Sequence, residues 1–105
     1  MINEYFKENE NYRKTSIGLH KDLVPAITCA DGFKMSVQAS SAHYCLPRVN
    51  KAVYTHVEVG FPSEKEDLLM DYAEDAENPT KTVYGYVPVE IVEKLIVIHG
   101  GMKNA

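Results

Sequence analysis

The apolar positions of the chain fall into separable patterns, each of which predicts an element. Phe33, Met35, Val37 and Ala39 alternate with Lys34, Ser36, Gln38 and Ser40, the period of a strand with one buried and one wet face. Val53, Thr55, Val57 and Val59 alternate in the same way with Tyr54, His56 and Glu58, as do Val83, Gly85 and Val87 with Thr82, Tyr84 and Tyr86. A shorter run over 24–29 predicts a strand that Pro25 confines to an edge or a strand start, and Asp31-Gly32 behind it is a tight-turn dipeptide. Helical spacing appears twice. Ser63 and Glu66 frame a capping box, after which Leu68, Leu69, Tyr72, Ala73 and Ala76 share one face. Glu64, Asp67, Asp71 and Glu74 form the opposite stripe, and Asn78-Pro79 ends the element. Pro88 suits the first position of a second helix carrying Val89, Ile91, Val92, Leu95, Ile96, Val97 and Ile98, with Gly100-Gly101 as its stop.

These patterns predict an α+β fold: a small antiparallel sheet of about four strands, with a C-terminal helix and a short acidic helix packed on it. Residues 1–20 are polar and read as an N-terminal arm or short helix, docking Tyr5, Phe6 and Tyr12 on the body or on a neighbouring subunit. Residues 21–105 then form a single α+β domain. The C-terminal helix is apolar nearly all round, so it needs cover on more than one side. That predicts a homodimer or a larger assembly.

Composition narrows the class. At 105 residues, 45% apolar and 25% charged, the chain is neither disordered nor collagen-like nor a disulfide scaffold. The net charge of −4 is mild, but eight of the fifteen acids lie in residues 58–78 beside one of the eleven bases, Lys65. The remainder is slightly basic and carries no basic stripe, which disfavours direct nucleic-acid binding. No apolar run is long enough for a membrane helix, and the start has no signal-like pattern. The expectation is a cytoplasmic protein, without membrane attachment, whose Cys29 and Cys45 are reduced.

Candidate chemistry concentrates in the loop 40–52, which is longer than most connections in a compact domain. It carries His43, Tyr44, Cys45 and Arg48 close together. As a recognition loop it would use Arg48 for a carboxylate or phosphate and Tyr44 for stacking. As a plug it would bury Tyr44, Cys45 and Leu46 under the turn at Pro47. The outward positions of the adjoining strands, Ser36, Gln38 and His56, extend the candidate ligand surface. A catalytic reading would make Cys45 a nucleophile with His43 or His56 as its base, although no local signature surrounds Cys45. No pair of ligands at metal-motif spacing exists among His20, His43, His56, His99 and the cysteines, so neither a metal nor another cofactor is expected. The stripe of Asp67, Asp71 and Glu74 is either a solvent face or a partner-binding surface that imitates phosphate spacing.

Several strings carry a resemblance: Ala30-Asp-Gly-Phe-Lys-Met-Ser-Val-Gln-Ala-Ser40, His43-Tyr-Cys45, Pro47-Arg48 and 54–63 ending in Val59-Gly-Phe-Pro-Ser63. Thr82-Val-Tyr-Gly-Tyr-Val-Pro88 and His99-Gly-Gly101 complete it. Over residues 27–101 the chain resembles a family of small uncharacterised bacteriophage and prophage accessory proteins. The resemblance implies a setting, the bacterial host cytoplasm, and no mechanism. The expected function is a non-catalytic accessory protein that binds a host protein or a small anionic ligand, such as one that inhibits a host defence system. The alternatives are a small enzyme built on Cys45 and a component of the virion or its morphogenesis.

Overall fold

The computed structural model of the protein describes residues 1–10 and 23–103. The elements run α1 (Ile2–Glu8), β1 (Ile27–Thr28), β2 (Lys34–Gln38), β3 (His56–Gly60), a 3-10 helix (Asp67–Tyr72), β4 (Val83–Pro88) and α2 (Val89–Ile98). The strands form one antiparallel meander in the order β1-β2-β3-β4, with Ile27 opposite Met35, Val37 opposite Val59 and Val57 opposite Val87. This is the α+β architecture read from the pattern, with the C-terminal helix in its expected place. The boundary expected near residue 20, together with Tyr12 and His20, lies outside the described residues.

The inward residues of all four strands join Leu69, Val92, Leu95 and Ile96 in a single core. Burying each such aliphatic side chain contributes about 1.5–3 kcal/mol, which makes this face the main source of stability. The short helix α1 adds Ile2, Tyr5 and Phe6 to that core. It is fastened by the Ile2 N–H, which donates to Glu93 on α2 (3.1 Å), and by a two-way bond between the Asn3 amide and the Tyr54 backbone. Its aromatic residues therefore dock on the body of the same chain.

Two details of β3 and β4 depart from simple alternation. Val53 is 79% exposed while Tyr54 is buried, so β3 begins at His56 and the parity of the preceding residues is reversed. Tyr54 has more apolar area to bury than Val53, stacks edge-on against Phe6 and donates its hydroxyl to the Val49 carbonyl. On the β3–β4 ladder the register shifts between Val57 and Val59, so Tyr84 and Val87 both point inward. The extra residue is accommodated by Tyr86 at φ 53, which turns its ring outward, as a β-bulge does.

The acidic helix is shorter than its pattern predicts. The Ser63 hydroxyl accepts the Lys34 N–H (2.9 Å) and the Ser63 N–H donates to the Lys34 carbonyl (2.8 Å), so Ser63 extends the sheet instead of capping a helix. Glu66 is extended, and its carboxylate meets His99. With both halves of the capping box engaged elsewhere, only a six-residue 3-10 helix forms, and Leu69 is its one buried residue. Ala76, expected on the apolar face, is exposed.

Helix α2 begins one residue after the expected start, with Pro88 extended at the N-cap. It ends in a Schellman arrangement: Gly100 and Gly101, at φ 90 and 98, return their N–H groups to Val97 and Ile96. Val89, Val92, Leu95 and Ile96 face the core, whereas Val97 and Ile98 are 67% and 58% exposed. Among the described residues no helix is long and apolar enough to cross a membrane.

Candidate functional site

Over residues 41–50 the loop between β2 and β3 plugs the core with Cys45 alone and displays its other side chains, including the Tyr44 and Leu46 that the plug reading would bury. Cys45 is fully buried and its thiol donates to the Ser40 carbonyl (3.2 Å). Asn50 accepts the Ser41 N–H, and Leu46 exchanges backbone bonds with Thr55 and His56 across a local bridge. These ties fix the loop as a scaffold. On its outer side Tyr44, Leu46, Arg48 and Val49 are all exposed.

Tyr44 is the centre of this surface. Its N–H donates to Glu58 on β3, and its carbonyl accepts the N–H of Tyr86 on β4, so the bulge and the loop position each other. The rings of Tyr44 and Tyr86 lie 5.9 Å apart, 42% and 41% exposed, and the Arg48 guanidinium sits 5.2 Å above the Tyr44 ring. A guanidinium held over an aromatic face keeps its hydrogen-bond donors available to a partner. The pattern of β4 placed Tyr86 on an ordinary strand face. Gly85, a glycine inside a strand pattern, is the signal for the bulge that brings it beside Tyr44.

The other candidate residues are distributed differently. Gln38 is buried, and its amide is taken up by both backbone groups of Val24 and by Ser36. Gln38 stands opposite Glu58, whereas Ser36 stands opposite Gly60 and His56 pairs with Pro88 of β4, and Gln38 serves to anchor the segment before β1. His43 Nδ1 lies 2.7 Å from the Ser40 hydroxyl, and His56 Nδ1 lies 2.8 Å from that of Thr55. Both cysteines are buried and outside any disulfide, with the thiol of Cys29 pushed up first by burial and then by the charge of Asp31. Asp67, Asp71 and Glu74 are exposed. At three residues per turn, about 120° per residue, Asp67 and Asp71 do not share a face of the 3-10 helix.

A second polar constellation lies where α2 ends against the β1–β2 turn. His99 is buried, with Nδ1 2.6 Å from Asp31 Oδ2, Nε2 2.5 Å from Glu66 Oε1, and Glu64 at 3.9 Å. Phe33 stacks on the ring at 4.1 Å and 11°. Burial pulls the imidazole towards neutrality, but the hydrogen bonds it donates to Asp31 and Glu66 prevail and hold its pKa above the ordinary value. Asp31 is held below the usual carboxylate range by the Phe33 N–H and then by His99. Its residues are 33 and 68 positions apart from His99, so no local spacing signals the cluster. Comparison of the chain with protein-family models, curated proteins and solved structures finds no match.

Proposed function

We propose that this is a non-catalytic binding protein that docks a protein partner on the surface formed by Tyr44, Arg48 and Tyr86. The observation that carries the reading is the exposure together of Tyr44 and Arg48 on a braced loop and Tyr86 on the adjoining strand. Tyr and Arg are the residue types that dominate protein interfaces, and a rigid display lowers the ordering cost of association. A protein partner is favoured over a small anion because Glu58 places a carboxylate at the Tyr44 backbone, within the same surface. The buried thiol of Cys45, bonded to a backbone carbonyl, supports packing over nucleophilic chemistry. The resemblance to bacteriophage and prophage accessory proteins sets the partner in a bacterial host, with a defence component as the partner class it suggests.

The test is affinity capture from bacterial lysate, followed by calorimetry on the purified partner. Tyr44→Ala combined with Arg48→Ala should weaken binding at least about thirtyfold, the scale of a lost interface hot spot. Unchanged affinity overturns the assignment. Loss of binding instead in the triple variant Asp67→Asn, Asp71→Asn, Glu74→Gln would transfer the interface to the acidic segment.

A further inference from the structure

The convergence of Asp31, Glu64 and Glu66 on His99 is not explained by the loop surface. Three carboxylates face one imidazole, which carries at most a single positive charge, and among the described residues every ion pair they make is with that ring. No lysine or arginine among the described residues lies within ion-pair distance of any of them. Glu66 is the only one of the three that is largely withdrawn from water, and the excess negative charge around the ring would attract a further cation.

The geometry points to a divalent transition-metal site in which His99 Nε2, Glu66 and Glu64 are the ligands and Asp31 holds the imidazole from its other nitrogen. One ligand atom from each of the three lies within 4.8 Å of the others. Around a first-row cation with bonds of about 2.1 Å, neighbouring ligand atoms stand about 3.0–3.4 Å apart. The separations from Nε2, 2.5 Å to Glu66 and 3.9 Å to Glu64, fall on either side of that spacing. A small opening at Glu66 and a small closing at Glu64, which is exposed and free to swing, would complete the set.

The ring is already oriented as a ligand must be. Asp31 keeps its proton on Nδ1, so that loss of the Nε2 proton would leave the Nε2 lone pair facing Glu66, and Phe33 stacking fixes the ring plane. Asp31 is in turn positioned by the Phe33 N–H (2.9 Å) and by its own N–H bond to the His99 carbonyl (3.2 Å). One nitrogen and two oxygens suit Zn²⁺ or Mn²⁺, while the imidazole disfavours Mg²⁺ and Ca²⁺ and the lack of sulfur disfavours Cu⁺. An open depression of ≈ 230 Å³, lined by Asp31, Gly32, Phe33, Ser63 and Glu64, adjoins the carboxylates and gives a bound ion a side open to water. On loading, the cation takes the place of the proton between Nε2 and Glu66, which passes to solvent.

The site is tested by titrating the whole protein with ZnCl₂ and MnCl₂, using MgCl₂ and CaCl₂ for comparison, by calorimetry and thermal unfolding. Saturable binding of one Zn²⁺ per chain with a raised unfolding midpoint is expected. Glu64→Gln should weaken Zn²⁺ at least about tenfold while leaving the metal-free midpoint in place, because Glu64 is exposed. Asp31→Asn should weaken it about 10–100-fold. Should that variant misfold, Glu64→Gln decides alone. The absence of saturable binding, Zn²⁺ affinity unchanged in Glu64→Gln, or Mg²⁺ and Ca²⁺ binding as tightly as Zn²⁺ would each overturn the site.

Discussion

Residues 40–50 turn a thiol inward and their aromatic and cationic groups outward, whereas the His99 cluster turns an ionisable ring inward and leaves its carboxylates at the rim. The loop is held by the buried Cys45 thiol and by backbone bonds, so its outer side chains can change at small cost to the fold. The His99 cluster is itself a tie between distant segments: the β1–β2 turn, the chain after β3 and the end of α2 all meet on one ring. The loop surface is thus separable from folding, and the cluster is not.

The largest effect that could break this contrast is the protection of Cys45. If the inner side of the loop is core, iodoacetamide at neutral pH should alkylate Cys45 and Cys29 about a thousandfold more slowly in the folded chain than in urea. That corresponds to an opening free energy of about 4 kcal/mol. Mass spectrometry reads the modified cysteine directly. Rapid reaction at Cys45 alone would show that the loop opens on its own, and the division between inner and outer side chains would fail.

Replacing the ring comes next. His99→Leu leaves Glu66 half-buried without its partner and removes the bond to Asp31, at a cost of about 2–3 kcal/mol after allowing for the exposure of Asp31. Urea unfolding measures it. Partner binding at Tyr44 and Arg48 should stay within twofold wherever the variant remains folded, and a parallel loss would mean that the two regions are coupled.

Smaller still is the pair of glycines behind His99. Gly100→Ala must adopt φ 90 and brings its Cβ to 3.0 Å from that of Ala30, whereas at Gly101 a Cβ meets nothing within 4 Å. The expected losses are about 1–2 kcal/mol at Gly100 and about 1 kcal/mol at Gly101, where only the backbone conformation is strained. Equal losses would show that the contact with the β1–β2 turn contributes nothing.

The pattern of the chain revealed most of the fold because local periods decide it. Phe33, Met35, Val37 and Ala39 are buried as their alternation predicts, although Gln38 on the predicted wet face is buried too, and the Gly100-Gly101 stop follows from backbone sterics alone. It misled where a distant partner outbid a local one. Ser63 and Glu66 satisfy every local requirement of a helix start, yet Lys34 and His99, remote in sequence, take their hydrogen bonds. Arg48 was legible as a loop surface residue, whereas Tyr44 fitted a buried plug equally well. Tyr86 was not legible there, since its position depends on a bulge that only Gly85 announces.

Gly85 also supplies the finest discrimination between the regions. A methyl group there would stand 3.3 Å from the Tyr44 Cβ, tighter than ordinary contact. Tyr44 lies at the surface and can yield by a few tenths of an ångström, so Gly85→Ala should change stability by no more than about 0.5 kcal/mol. The displaced ring would still alter its approach to Tyr86 and its place under Arg48, and partner affinity should fall by about threefold to tenfold on calorimetry. The His99 cluster has no part in that contact, so Zn²⁺ binding should be unchanged. A variant that loses stability as readily as affinity would show the loop surface to be as integral to folding as the buried ring.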